Sequence, residues 1–153
     1  AGLSLPQQVM MTMFSLAELM DVEKRYQKAC MEIVHRRVQA ILEGLGLQGS
    51  PGDIYDAYCG VIDLEFFARK NLGEDAVAWM KKNVHPLDLA FRLAETQGIV
   101  LLNGGGFEAA DWSLRVSLAN LGDDVYDDIG RGVRAIARGY RDAFEASKRA
   151  PKK

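Results

Sequence analysis

Apolar residues recur at helical spacing through the first 45 positions, and alternate with polar ones only further along the chain. Ser4, Pro6 and Gln7 open the first helix: a hydroxyl at the cap, a proline tolerated in the first turn, and an amide where a capping-box partner belongs. Val9, Met10, Met13, Phe14, Leu16, Ala17 and Met20 follow, so largely apolar a set that much of this helix's surface is expected to be buried. Asp21 is expected to cap a second, longer helix that ends at about Gly44–Gly46. One stripe on it reads Val22, Tyr26, Ala29/Cys30, Ile33 and Ala40/Ile41; a second reads Met31, Val34, Val38, Leu42 and Leu45. Two stripes predict contacts on two sides. A connecting helix wedged between two bodies and a central helix of a small bundle both satisfy that pattern.

Turn-forming residues fill Gly46–Asp53, and a boundary is expected there, between a helical arm (1–46) and a compact unit (47–153). Residues 54–63 are aromatic and β-branched and predict a strand. Short helices follow over about 64–71 and 74–83, the first entered at Asp63–Phe66 with Glu65 near its positive end. Pro86 starts a helix over about 87–96 that ends at Gln97-Gly98. Ile99–Leu102 reads as a buried strand, Asn103–Gly106 as a tight turn and Trp112–Ala119 as a second clear strand. From Asp123 a long helix carries Val125, Ile129, Val133, Ile136, Tyr140 and Phe144 at helical spacing. Gly130, Gly132 and Gly139 weaken it by up to about 1 kcal/mol each, and are expected to let it approach a sheet closely. The fold class is α/β: a small, mostly antiparallel sheet packed by helices and preceded by a long helix of interdomain type.

Composition narrows the function. A length of 153 residues suits one core, and a net charge of −2 gives no basic excess to bind nucleic acid. Ile99–Leu102 is strand-sized, too short to span a membrane, and the N-terminus lacks the pattern of a signal peptide. The chain begins at Ala1 rather than Met, which suggests processing or a piece of something longer. Cys30 and Cys59 are too few for a disulfide framework and read as small core residues in a reducing, cytoplasmic setting. His35 and His85 have no partner at metal-ligand spacing, so no metal site is expected. Asp123-Asp124 and Asp127-Asp128 sit where they favour the dipole of the last helix.

One segment carries candidate chemistry. Strand alternation puts Trp112, Leu114, Val116 and Leu118 on one face and Ser113, Arg115, Ser117 and Ala119 on the other. Arg115 therefore lies mid-strand between two small hydroxyl residues, with room above it for a ligand. Its planar fork can hold a carboxylate by two parallel hydrogen bonds. The same spacing also suits an edge-strand arginine paired with a local acid, and leaves the choice open.

The run from Gly98 to Phe107, GIVLLNGGGF, followed by Trp112–Leu121, WSLRVSLANL, resembles the C-terminal signature of the class I/II aminotransferases of fold type I. Together with the opening AGLSLPQQVM, the wording is most similar to the aspartate 4-decarboxylase branch of that family, over essentially the whole chain. The resemblance implies a C-terminal, small-domain part of a pyridoxal-phosphate enzyme that converts L-aspartate to L-alanine and carbon dioxide, with some transamination. It implies that Arg115 grips the substrate α-carboxylate. The two-striped helix would link to a large cofactor domain upstream, and the whole would be a homo-oligomer. The family's cofactor lysine and the acid facing the pyridine nitrogen lie upstream of the matched segment, so this chain alone should be inactive. Asn103 and Gly106 depart from the wider family's turn, where proline and a small or hydroxyl residue are common. The alternative is a stand-alone helical interaction module without catalysis, in which the apolar N-terminal helices form a partner surface.

Overall fold

The computed structural model describes residues 2–48 and 58–149. Six helices and three strands follow in the order α1 (Leu5–Met20), α2 (Arg25–Leu45), β1 (Cys59–Asp63), α3 (Leu64–Leu72), α4 (Glu74–Asn83), α5 (Asp88–Gln97), β2 (Leu102–Asn103), β3 (Ser113–Ser117) and α6 (Val125–Arg149). Gly104–Phe107 forms a single 3-10 turn between β2 and β3. The strands make one antiparallel sheet in the order β1-β3-β2, so β3 is central. This is the α/β arrangement expected, a small antiparallel sheet packed by helices.

The sheet has a dry face and a wet face because β3 alternates. Leu114, Val116 and Leu118 are buried against Ile62 of β1, Leu89 and Leu93 of α5, and Tyr126, Ile129 and Val133 of α6. Burying each such side chain contributes about 1.5–3 kcal/mol, so the alternation also fixes the register: a slip of β3 by one residue would turn Leu114, Val116 and Leu118 to the wet face. Asp63 accepts from the Phe66 N–H at 2.9 Å and starts α3, with Glu65 in its first turn. Gly98, at φ 67°, ends α5 in the left-handed conformation that glycine adopts without strain.

The glycines of α6 do not bring it close to the sheet; they bring it to other helices. A Cβ on Gly130 would lie 2.9 Å from the Cα of Gly44 and would overlap the Ile41 carbonyl oxygen. A Cβ on Gly44 would in turn overlap the Asp127 carbonyl oxygen. The two helices therefore cross backbone to backbone at this glycine pair. A Cβ on Gly132 would lie 2.7 Å from Leu93 Cδ1 of α5, while Gly139 faces open space. From α2, Val34, Val38, Ala40, Ile41 and Leu45 reach the core, whereas Val22, Tyr26 and Ile33 are exposed. Val34, Val38 and Leu45 of the second apolar stripe are thus used, and of the first only Ala40 and Ile41 near its C-terminal end.

Three further expectations are corrected. α1 has the predicted start, the Ser4 N–H donating to Gln7 Oε1 at 2.9 Å, but none of its residues is buried. Among the described residues Phe14 meets the Tyr26 ring edge-on at 5.9 Å, but the apolar side chains of α1 stay largely exposed. The strand expected over Ile99–Leu102 shrinks to Leu102–Asn103, and Val100 is 80% exposed. The chain there follows the αL turn at Gly98 and reaches the sheet only opposite Arg115 and Leu114. Cys30 and Cys59 are half-buried rather than core residues. Asp21 does serve α2, but from outside: its carboxylate accepts from the Tyr26 N–H at 2.9 Å, while the residue before the helix is Lys24 at φ 56°. Residues 54–57 of the expected first strand lie outside the described residues, as do 49–53 of the expected break and Lys152 and Lys153 of the basic tail.

The crossing makes an asymmetric prediction. Gly130→Ala should destabilise the chain by about 1–3 kcal/mol, because the methyl meets backbone that cannot rotate away. Gly139→Ala, in open space on the same helix, should stabilise it by up to about 1 kcal/mol. Urea denaturation of the two variants checks both signs.

Candidate functional site

Arg115 sits in the middle of the central strand, with Val61 of β1 on one side and Leu102 of β2 on the other. All three belong to the wet face, where Val61 and Leu102 are each 54% exposed. The turn after β2 folds back so that Phe107 stands under the arginine, its ring centroid 4.4 Å from the guanidinium carbon. That contact uses one face of the guanidinium and leaves its N–H edge for a ligand. Among the described residues Arg115 makes no ion pair. It is neither on an edge strand nor paired with a local acid there.

Two hydroxyls flank it on the strand, and they behave differently. Ser113 is buried, and its Oγ donates to the Ala110 carbonyl at 2.6 Å. It fills the space that a side chain at Gly104 would need, so Gly104 and Ser113 together fix the return of the turn toward the strand. Ser117 Oγ is buried and has no hydrogen-bond partner among the described residues. A buried hydroxyl left unmatched costs on the order of 1–3 kcal/mol, which marks it as a group with capacity for a further hydrogen bond beside Arg115.

The C-terminal end of β3 is held from α2 and α6. Arg37 donates to the Leu118 carbonyl at 2.6 Å and to Asp123 at 2.7 Å. Its guanidinium also lies 5.3 Å from the Tyr126 ring centroid. The Tyr126 hydroxyl donates to the Ser117 carbonyl at 3.1 Å and accepts from the Leu121 N–H at 3.3 Å. Arg36 adds a second pair to Asp123 at 2.7 Å. These two arginines, Arg36 first, hold the Asp123 carboxyl below its ordinary value of 3.8. The acidic run before α6 thus does more than favour a helix dipole: Asp123 ties the loop after β3 to α2.

Arg115 was legible from strand alternation. Phe107, Arg37 and Tyr126 were not assigned roles by it. Phe107 carried a usable signal, since it closes a glycine turn five residues before Trp112 and a hairpin return must bring it back over β3. Arg37 carried none beyond being one of several charged residues on a long helix.

No family model matches the chain. A curated protein from Pseudomonas sp., a bifunctional aspartate aminotransferase and L-aspartate beta-decarboxylase, is 37% identical over 146 residues, or 95% of this chain. The chain is a homologue of part of that protein. It spans about 28% of the relative's length. In the homologue's frame, then, the strand with Arg115 and the turn with Phe107 form one portion of a much longer polypeptide. Among the described residues no group of His, Cys, Asp and Glu side chains could hold a metal ion, and no helix is long and apolar enough to cross a membrane.

The Asp123 clamp gives a pH signature. Its carboxyl has a depressed pKa in the folded chain, so its contribution is present above 3.8 and is lost as the pH falls through the lower, folded value. Asp123→Asn should therefore be less stable than the parent at about pH 6, and the gap should narrow as the pH falls below about 4. Urea midpoints of both chains across that range measure it; a gap of constant size would show that the pair carries no linked proton.

Proposed function

We propose that the chain is the C-terminal, small-domain part of a pyridoxal-phosphate-dependent aspartate 4-decarboxylase of the aminotransferase family, and that Arg115 holds the α-carboxylate of the substrate. One observation carries the assignment of the residue: a mid-strand guanidinium on the wet face, stacked on Phe107 and without an acidic partner among the described residues. The homologue's name supplies the substrate, an aspartate that loses its β-carboxylate or exchanges its amino group.

Within this reading the chain's own residues bind and orient. Arg115 would take both α-carboxylate oxygens along its N–H edge, which fixes the Cα–carboxylate plane. Phe107 would keep the guanidinium flat against the turn, so that little rotamer freedom is lost on binding. Ser117 Oγ would offer a further hydrogen bond to a polar ligand. Decarboxylation breaks the bond from Cβ to the β-carboxylate, releases carbon dioxide and puts a proton on Cβ. A strong hold on the α-carboxylate leaves the β-carboxylate free to be positioned by other groups.

The described lysines do not fit a cofactor attachment point beside Arg115. Lys81 pairs with Glu65 at 3.0 Å and Lys148 with Glu145 at 3.1 Å. Lys24 precedes α2 in the left-handed region, Lys70 lies over Phe66, and Lys28 and Lys82 belong to α2 and α4. Pyridoxal phosphate, which supplies an electron sink when bound, is accordingly assigned to the remainder of the protein. The arm of residues 1–46 is assigned to the link with that remainder.

In the full-length enzyme Arg115→Lys should raise the KM for aspartate by about 10–100-fold, the loss expected when a bidentate, charge-assisted contact becomes a single point contact. Cofactor content, read from the visible absorbance, should not change. A variant that kept the parental KM would remove Arg115 from the substrate site. Loss of cofactor at unchanged KM would move it to the cofactor.

A further inference from the structure

A cavity on the dry side of the sheet takes no part in the site around Arg115. It has a volume of about 410 Å³ and lies between α3 and α4 on one side and α6 on the other. Its floor is apolar and buried: Ile62, Leu64, Met80 and Val133 line it and are each at most 8% exposed. Trp79 lines it too and meets Phe144 with ring centroids 5.9 Å apart, which joins α4 to α6 beside it. The mouth is basic. Arg134, Arg138 and Arg141 of α6 stand there, all exposed. At about 100° of rotation per residue, they fall within about 60° of one another on one face of the helix. Among the described residues no Asp or Glu lines the cavity.

The three arginines are largely uncommitted. Among the described residues Arg134 and Arg138 make no ion pair, and Arg141 meets only its exposed chain neighbour Asp142, at 3.3 Å. Gly46 makes room for the Arg134 guanidinium, since a Cβ there would lie 2.5 Å from its Cζ. The other polar groups of the lining have partners: Asn71 donates to the Phe67 carbonyl at 2.9 Å and the Tyr140 hydroxyl to Asp88 at 2.6 Å.

We propose that this cavity binds an amphipathic monocarboxylate, its apolar chain on the floor and its carboxylate held by Arg138 and Arg134. The volume falls within the range of about 300–1,000 Å³ usual for small-molecule sites. An apolar chain gains by leaving water for this floor. A guanidinium at the mouth takes a carboxylate by two parallel hydrogen bonds, while a cation would be repelled. An amino acid such as aspartate does not fit, because its further charges would have to lie on the apolar floor without partners.

The proposal needs neither the aspartate assignment nor the cofactor, so the two readings fail separately. Isothermal titration calorimetry of the full-length protein with octanoate tests it, with 1-octanol and acetate as probes that lack the charge or the chain. Arg138→Glu reverses the charge at the mouth, and Ala68→Trp fills the cavity from α3. Arg138 is exposed and Ala68 half-buried, and circular dichroism confirms that both variants fold; if Ala68→Trp does not, Arg138→Glu decides alone. The expected result is one saturable octanoate site per chain, weakened at least about 10-fold by either variant. 1-Octanol should bind more weakly and acetate not at all, and Arg115→Gln should leave octanoate affinity unchanged. Absence of saturable binding at low-millimolar octanoate overturns the proposal. So does an affinity that Arg138→Glu leaves intact, and so does a site lost in Arg115→Gln, because octanoate would then occupy the wet face.

Discussion

The close crossing of α2 and α6 is the constraint on which the remaining geometry rests. Gly44 and Gly130 let two backbones meet where any side chain would separate them. That proximity sets where α6 can lay Tyr126, Ile129 and Val133, and these are the residues that cover the dry face of the sheet. It also brings Arg37 of α2 within reach of the Leu118 carbonyl, and Tyr126 of α6 within reach of the Ser117 carbonyl. β3 is thus positioned from behind by core packing and from its end by two polar contacts. Glycine weakens a helix by about 1 kcal/mol relative to alanine, and here that cost is offset by side chains that pack because the axes are close.

Arg115 inherits its position from this arrangement rather than making it. Its neighbours on the wet face are Val61, Leu102 and Phe107, which offer shape and a ring face but no counter-charge. An arginine with an acid already attached must give up that contact to bind a carboxylate, and the exchange would be nearly neutral. An arginine resting on an aromatic ring keeps that contact while its N–H edge takes up a ligand. The stack and the ligand use different parts of the same group.

The elements were largely legible because their signals are local. Caps, glycine stops and the periodicity of α6 lie within a few residues of the features they specify, and α4 and the alternation of β3 follow directly from spacing. What failed was non-local. The largely apolar character of α1 predicts burial, because periodicity reports what a helix would bury and says nothing of whether a partner lies in the same chain. The glycines of α6 meet α2 and α5 rather than the sheet, because sequence shows that a close approach is permitted but not which element makes it. Ile99–Leu102 has the composition of a strand, yet Val100 is exposed; pairing needs a neighbouring strand in register, and here that begins only at Leu102. At the site, Arg115 was visible because alternation is local, whereas Arg37 and Asp123 are 86 positions apart and meet only once α2 and α6 have crossed.

No residue of α1 is buried, and this divides the chain by the kind of selection each part experiences. A substitution at Val116 or Ile129 is judged within the chain, through the stability of its own fold. A substitution at Met10 or Phe14 has little to disturb there, and is judged by whatever surface lies against the helix. The two parts are therefore free to diverge at different rates and for different reasons. The core would keep its volume and pattern while α1 tracks its neighbour, so that paired changes across the contact, rather than fixed residues within it, would be the trace left in related sequences.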